Sequence, residues 1–340
     1  MIERMRKLLV MVASTALALA ACSMNGDRAS SPAAVKGPSA RAYAYAVVSV
    51  GDMEEALALW QQRFGMEISR REQGPDPGLA RLWGLEANAI ADQALLNTPG
   101  MIDGGVHLVR FASPGAAVRD GAAATDLVPK SIDIAVRDIE ARYAELTSAG
   151  HAFRSKVGKL ETDGVVLYEV HMPAHDGLNL VFLEQPGKPE TVSPQGYGVA
   201  PQIVAVTPDN EREVAFFRDV LGLEPLSQHR FAGPQVEQTI GLPPGAALDV
   251  RIVGARDSRF GRLELVQYEG VESADLYGRA APPARGLLSV TYVVPDLAPI
   301  LARGRSSGIA DHGTVRSILG EGRMASVTSP AGLRIDIVQL

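Results

Sequence analysis

Hydrophobic and polar positions along this chain alternate in short runs, and the informative runs come in pairs. Gly105-Val106-His107-Leu108-Val109-Arg110-Phe111 and Gly261-Arg262-Leu263-Glu264-Leu265-Val266-Gln267-Tyr268 both carry the two-residue period of a half-buried strand. In the first, His107, Val109 and Phe111 share a face; in the second, Glu264, Val266 and Tyr268 do. Each copy therefore sets a residue able to bind metal on an otherwise apolar face.

The pairing extends along the chain. Asp52 and Asp209, Gly65 and Gly222, Gly84 and Gly241, His107 and Glu264, and Phe111 and Tyr268 all stand 157 residues apart. Ser131-Ile132-Asp133-Ile134 is answered by Ser289-Val290-Thr291-Tyr292 at an offset of 158, which Gly150 and Gly308 keep. Five anchors in one register argue for duplication of a two-module unit. Each module opens with a β-branched strand (46–50, 132–136, 203–206, 288–294) that runs into Asp52, Asp138, Asp209 or Asp296. An aspartate there can accept the free amide donors of a first helical turn. The spacing then predicts amphipathic helices over 53–63, 139–149, 210–220 and 297–306. Each is closed by a glycine (Gly65, Gly150, Gly222, Gly308), the residue that enters the left-handed position without strain. Further short strands complete a β-α-β-β-β grammar, repeated four times, and an α+β fold.

Length and charge change this picture little. The 340 residues are 46% hydrophobic and carry a formal charge of −6, enough for a large core and without the basic stripe that nucleic acid demands. The N-terminus adds a location. Arg4, Arg6 and Lys7 precede an uncharged run from Leu8 to Ala21, the layout of a secretory signal and short for a membrane span. The run ends Leu19-Ala20-Ala21-Cys22, which resembles the bacterial lipobox, and Cys22 is the only cysteine. The resemblance implies lipidation of Cys22 and an anchor in the cell envelope, facing the periplasm from the outer membrane if the host has two membranes. Residues 1–21 then form the signal peptide. Residues 22–41, rich in Ser, Ala, Pro and Gly, form a flexible tether.

The strand–Asp–helix–Leu-Gly opening of Phe217-Arg218-Asp219-Val220-Leu221-Gly222-Leu223, with the Pro-Ala-His-Asp-Gly-Leu-Asn turn at 173–179, resembles the vicinal oxygen chelate superfamily. That group includes glyoxalase I, extradiol dioxygenases, epimerases and bleomycin-resistance proteins. The resemblance covers roughly 43–340 and implies four βαβββ modules forming two cupped mixed sheets with helices outside. Chain order suggests one module pair over 42–190 and a second over 191–340. Metal-using relatives draw ligands from the first and last strands of each module. Carried onto this chain, the first-strand positions are Tyr45, Ser131, Pro201 (or Gln202) and Ser289; the last-strand positions are His107, Asn179, Glu264 and Arg334. A catalytic divalent site needs about three His or carboxylate ligands. Each half supplies one, so the expectation is a metal-free cup with no cofactor.

Two arrangements follow. Tyr45, His107, Ser131, Asp133 and Asn179 would face one cavity, the mixture of donors, acceptors and aromatic surface that a small-molecule pocket needs. Arg334, sharing a face with Asp336, could pair with Glu264 and grip a carboxylate-bearing ligand, or the pair could satisfy itself in a closed core. His107 has the alternative of a hydrogen-bonded core histidine. His171 and His175 do not share a face that would suit a metal, and no Ser-His-Asp order or phosphate loop is present.

The leading expectation is an envelope-tethered module binding a small organic ligand, with no nucleic-acid partner. The alternative is a glyoxalase, lyase or dioxygenase type of enzyme with a rebuilt site; a purely structural component is a third. Four modules in one chain satisfy both cups without a partner and predict a monomer.

Overall fold

The computed structural model describes residues 40–340 except 163, 188–191 and 201. Cys22, the signal segment and all but the end of the tether therefore lie outside the described residues, as does Pro201. The folded part already includes Ala40, which is buried and donates its N–H to Leu221 O, so the expected tether boundary at 41 falls late.

Four modules of one grammar follow. The first holds β1 (Tyr43–Ser49), α1 (Met53–Leu57), β2 (Glu67–Gln73), α2 (Pro77–Leu82), β3 (Ile90–Asn97) and β4 (Gly105–Phe111). The second holds β5 (Pro129–Ala135), α3 (Ile139–Ser148), β6 (Gly158–Thr162), β7 (Val165–Pro173) and β8 (Asn179–Glu184). The third repeats the first with β9 (Gln202–Val206), α4 (Asn210–Phe216), β10 (Glu224–Ala232), α5 (Pro234–Ile240), β11 (Ala247–Gly254) and β12 (Arg262–Glu269). The fourth holds β13 (Gly286–Val293), α6 (Ala298–Arg303), β14 (Ala310–Ser317), β15 (Gly320–Thr328) and β16 (Arg334–Gln339).

The caps act as the sequence predicts. Asp52, Asp138 and Asp209 accept backbone N–H groups of the helices they open, and Asp296 accepts from Ala298 N. Gly65, Gly150, Gly222 and Gly308 all have positive φ. Helices α1 and α4 continue as π-helical stretches, Ala58–Arg63 and Phe217–Leu221, a departure at the same point of the repeat that the 3.6-residue pattern does not show. Helices α2 and α5 were not expected. Each starts with a proline, which suits the first turn, and is followed by a left-handed glycine, Gly84 or Gly241. The Trp83-Gly84-Leu85 and Ile240-Gly241-Leu242 echo marks these two helix ends.

The strands form two eight-stranded mixed sheets, ordered β14-β15-β16-β13-β1-β4-β3-β2 and β10-β11-β12-β9-β5-β8-β7-β6. The first therefore joins modules one and four, the second modules two and three. Pairing in chain order, 42–190 and 191–340, is corrected: β1 runs antiparallel to β13 with Val47 opposite Ser289, and β5 runs antiparallel to β9 with Asp133 opposite Gln202. Every first strand offers the same kind of open edge, so local pattern defines the unit and leaves its partner undetermined.

The alternation sorts side chains cleanly. Ala46, Val48 and Leu108 of the first sheet, Ile132, Ile134 and Phe182 of the second, and Trp60 and Phe217 of the helical segments join one continuous core. Each large side chain so buried contributes about 2 kcal/mol. Phe64 bridges modules, 5.8 Å from Phe182 and 4.6 Å from Tyr197. Asp176, in the 173–179 turn, accepts from Gly51 N and from Arg285 Nη1 and so ties modules one, two and four. The opposite face of each sheet forms a cup.

Candidate functional site

The two cups have the same plan and opposite contents. In the first-and-fourth-module cup the inward positions include Tyr45, His107, Ser289 and Arg334. Here Trp83, at the end of α2, fills the space: its Nε1 donates to Asp336 Oδ2 at 2.8 Å, and its ring lies 6.0 Å from Phe111 and 6.3 Å from His107. Asp76 caps α2 through Leu79 N at 2.9 Å and also accepts from Ile318 N and Gln93 Nε2, both at 2.9 Å. Gln93 Oε1 in turn accepts from His107 Nε2 at 3.1 Å. His107 is fully buried, and burial lowers its imidazole to about 4, so it is neutral at pH 7. It is the core histidine of the alternative reading, and its Nδ1 has no hydrogen-bond partner among the described residues.

The expected Arg334–Glu264 pair does not form, because the two residues belong to different sheets. Arg334 instead bonds Asp336 Oδ1 at 3.0 Å and Leu82 O at 2.9 Å. Tyr45 Oη bonds Asn97 Oδ1 at 3.4 Å, and Ser289 is buried in the same closed cup. The expectation that Tyr45 and His107 share a cavity with Ser131, Asp133 and Asn179 is corrected for the same topological reason.

The second-and-third-module cup is open. It encloses a cavity of about 430 Å³, within the size that holds a small organic molecule. Its walls are apolar: Leu160, Leu167, Phe231, Ile240, Leu248 and Val250. Its floor is polar. Gln202 Nε2 donates to Asp133 Oδ2 at 3.0 Å and to Glu264 Oε2, bridging two carboxylates. Ser131 Oγ donates to Asp133 Oδ1 at 3.4 Å. Glu169 Oε1 accepts from His171 Nε2 at 2.6 Å, and His171 Nδ1 meets Asn179 Nδ2 at 3.3 Å. Opposite them, Lys130 Nζ donates to Tyr268 Oη and sits 4.8 Å from that ring's centre.

Three residue exchanges at the 157 offset account for the difference. Asp76 is answered by Gly233, Trp83 by Ile240 and Gln93 by Val250. The capped, hydrogen-bonded plug of the first cup therefore has no counterpart in the second. A second depression, edged by Arg70, Glu72, Pro75, Arg81 and Arg316, lacks the apolar wall that would bury a ligand.

Burial sets the electrostatics of the open cup. It pushes the Asp133 carboxyl well above its usual range, and the charges of Glu264 and Glu169 push in the same direction. Glu264 is raised by burial and then by Glu169, against the pull of Lys130. Lys130 is lowered by burial and by Arg119 to about 7, and burial also lowers His171. On this floor Lys130 and Glu264 are thus a weak base and a weak acid poised near neutrality.

Of the residues expected from sequence, Ser131, Asp133, Asn179 and Glu264 come together here, with Gln202. Lys130, Glu169, His171 and Tyr268 were missed. Glu169 and His171 alternate with Val170 and Met172 along β7, a face signal visible in the sequence. Lys130 stands at the start of β5, one residue before Ser131, where the two-residue period alone did not single it out.

Comparison with solved structures places this architecture. Glyoxalase I from Zea mays superposes with a TM-score of 0.61 at 17% identity, over 88% of this chain and 92% of that one. A Bacillus subtilis protein assigned as a dioxygenase gives 0.55 at 12% identity, over 88% and 85%. No family model matches the sequence, and no curated protein does. The fold is glyoxalase-like, a duplicated α+β architecture of two curled mixed sheets.

Metal-using members of the superfamily that the sequence resembles hold a divalent ion, and the donor set here does not fit one. Of the ligand positions in the open cup, Ser131, Asn179 and Gln202 are not anionic, and the Gln202 amide turns its N–H groups toward the carboxylates. Among the described residues no three His, Cys, Asp or Glu side chains converge on a point where an ion could sit.

Proposed function

We propose that the second-and-third-module cup binds a small organic ligand without a metal, and that the chain acts as a monomer held to the cell envelope through a lipid on Cys22. The observation that carries the reading is the exchange of Trp83 for Ile240. One cup is plugged by an indole; its duplicate keeps about 430 Å³ above a hydrogen-bonding floor. An apolar wall supplies the burial energy of binding, and Asp133, Glu264, Lys130 and Gln202 supply orientation.

The test is a thermal-shift screen of small organic compounds against the wild type and Ile240→Trp. Compounds that stabilise the first and not the second support the reading. Stabilisation that survives Ile240→Trp places binding elsewhere and overturns it, as does stoichiometric uptake of iron, manganese, zinc or nickel in equilibrium dialysis. For the anchor, Cys22→Ser should move the protein from the membrane to the soluble fraction. Light scattering should give one chain per particle.

One observation favours a second reading, a glyoxalase, lyase or dioxygenase type of enzyme with its site rebuilt. A weak acid, Glu264, and an amine, Lys130, poised near neutrality face the same cavity, as general acid–base chemistry requires. Turnover of a bound compound that is lost in Glu264→Gln while binding persists would establish it.

A further inference from the structure

We infer that Lys130 captures carbonyl compounds: an aldehyde or ketone with an apolar body condenses with its side-chain amine in the open cup to form an imine. The inference rests on the reading of this cup as the ligand site.

The chain holds six lysines among its 33 basic residues, so arginine carries most of its positive charge. Of the lysines in the described residues, Lys156 and Lys159 are exposed, whereas Lys130 is 6% exposed and borders the cavity. An arginine there would stay charged; a lysine can lose its proton and become a nucleophile. Among the described residues no carboxylate ion-pairs with its amine. The charged and titratable groups acting on it are Arg119 and Arg154, which oppose its protonation, and Glu169 and Glu264, which favour it. Burial outweighs the carboxylates and leaves a substantial neutral fraction at pH 7. One N–H is spent on Tyr268 Oη, and the neutral nitrogen keeps its lone pair.

The chemistry balances without a further reactant. The lone pair attacks the carbonyl carbon to give a carbinolamine, the two amine protons and the carbonyl oxygen leave as water, and a C=N bond remains. A protonated carboxyl on the floor lends the proton that the departing hydroxyl takes and recovers it from the nitrogen. Glu264 is kept in that form by burial. The aliphatic walls around Leu160, Leu167 and Val250 fit an apolar body and keep the imine from bulk water.

The full chain is incubated with cinnamaldehyde and sodium cyanoborohydride, which reduces an imine to a stable amine, and mapped by peptide mass spectrometry. The expected result at pH 7 is alkylation of Lys130 about tenfold or more faster than of Lys156 and Lys159, because exposed lysines are almost wholly protonated there. Cinnamyl alcohol, which fills the same space and has no carbonyl, should compete with the adduct, and Ile240→Trp should abolish it. Alkylation of the exposed lysines with Lys130 unmodified overturns the inference. If calorimetry shows the alcohol bound in the wild type and not in Ile240→Trp, the ligand reading then stands alone. If the alcohol does not bind, that reading loses its support as well.

Discussion

Trp83 and Ile240 stand at the same point of a duplicated unit, and the hydrogen bond from Trp83 Nε1 to Asp336 Oδ2 at 2.8 Å crosses a cup whose twin Ile240 leaves open. Duplication supplies two equivalent concave sheets. Side-chain volume at one position then decides which becomes core and which becomes cavity. Asp76 and Gln93 hold the plug, and Gly233 and Val250 offer nothing in their place.

Trp83→Ile should destabilise the protein by about 3 kcal/mol, since it removes a large buried ring and leaves Asp336 without its indole donor. Urea denaturation followed by circular dichroism measures this. A loss well below 1 kcal/mol would mean that the first cup relaxes around the gap.

Asp76→Ala should cost about 3 kcal/mol, because one buried carboxylate accepts from Leu79 N, Ile318 N and Gln93 Nε2 and its removal orphans three donors. The loss should appear first as faster amide exchange of Leu79 in α2 and of Ile318 just after β14, the two backbone N–H groups from which this side chain accepts.

Glu264 carries a pH signature. Its folded carboxyl is raised from 4.5 to about 8, so between those values the folded chain holds a proton that the unfolded chain has released. Stability therefore falls as pH rises from about 4.5 to 8 and levels off above. Glu264→Gln should remove this contribution, so the difference in unfolding free energy between variant and wild type should grow across that window. A difference that does not change with pH would show that Glu264 is ionised in the folded state.

His107 acts at the acid end. Its folded imidazole is lowered from 6.5 to about 4, so between those values the unfolded chain takes up a proton that the folded chain refuses. Stability contributed by the neutral ring is full above about 6.5 and is lost as pH falls toward 4. His107→Leu should be less stable at pH 7, by about 2 kcal/mol for the Gln93 Oε1 left unpaired. Its curve should nevertheless lie flatter between pH 6.5 and 4, as thermal melts across that range would register.

Much of the architecture is local and was readable as such. Asp52, Asp138, Asp209 and Asp296 before a helical period, and Gly65, Gly150, Gly222 and Gly308 after it, are choices that backbone sterics and free amide donors enforce within one turn of chain. The two-residue period of 105–111 and 261–268 assigned each side chain to a face, and the 157-residue register revealed the duplication. Those features determined the unit, its number of copies and the inward positions. Partnership between copies was a tertiary matter: β1 could meet any other first strand, and it meets β13, which separates His107 from Ser131 and Arg334 from Glu264. Filling was tertiary too. Whether a cup holds a ligand depends on the summed volume of side chains arriving from α2 or α5 and from strands distant in sequence, and only packing in three dimensions sets Trp83 over Asp336 while leaving Lys130 and Glu264 facing open space.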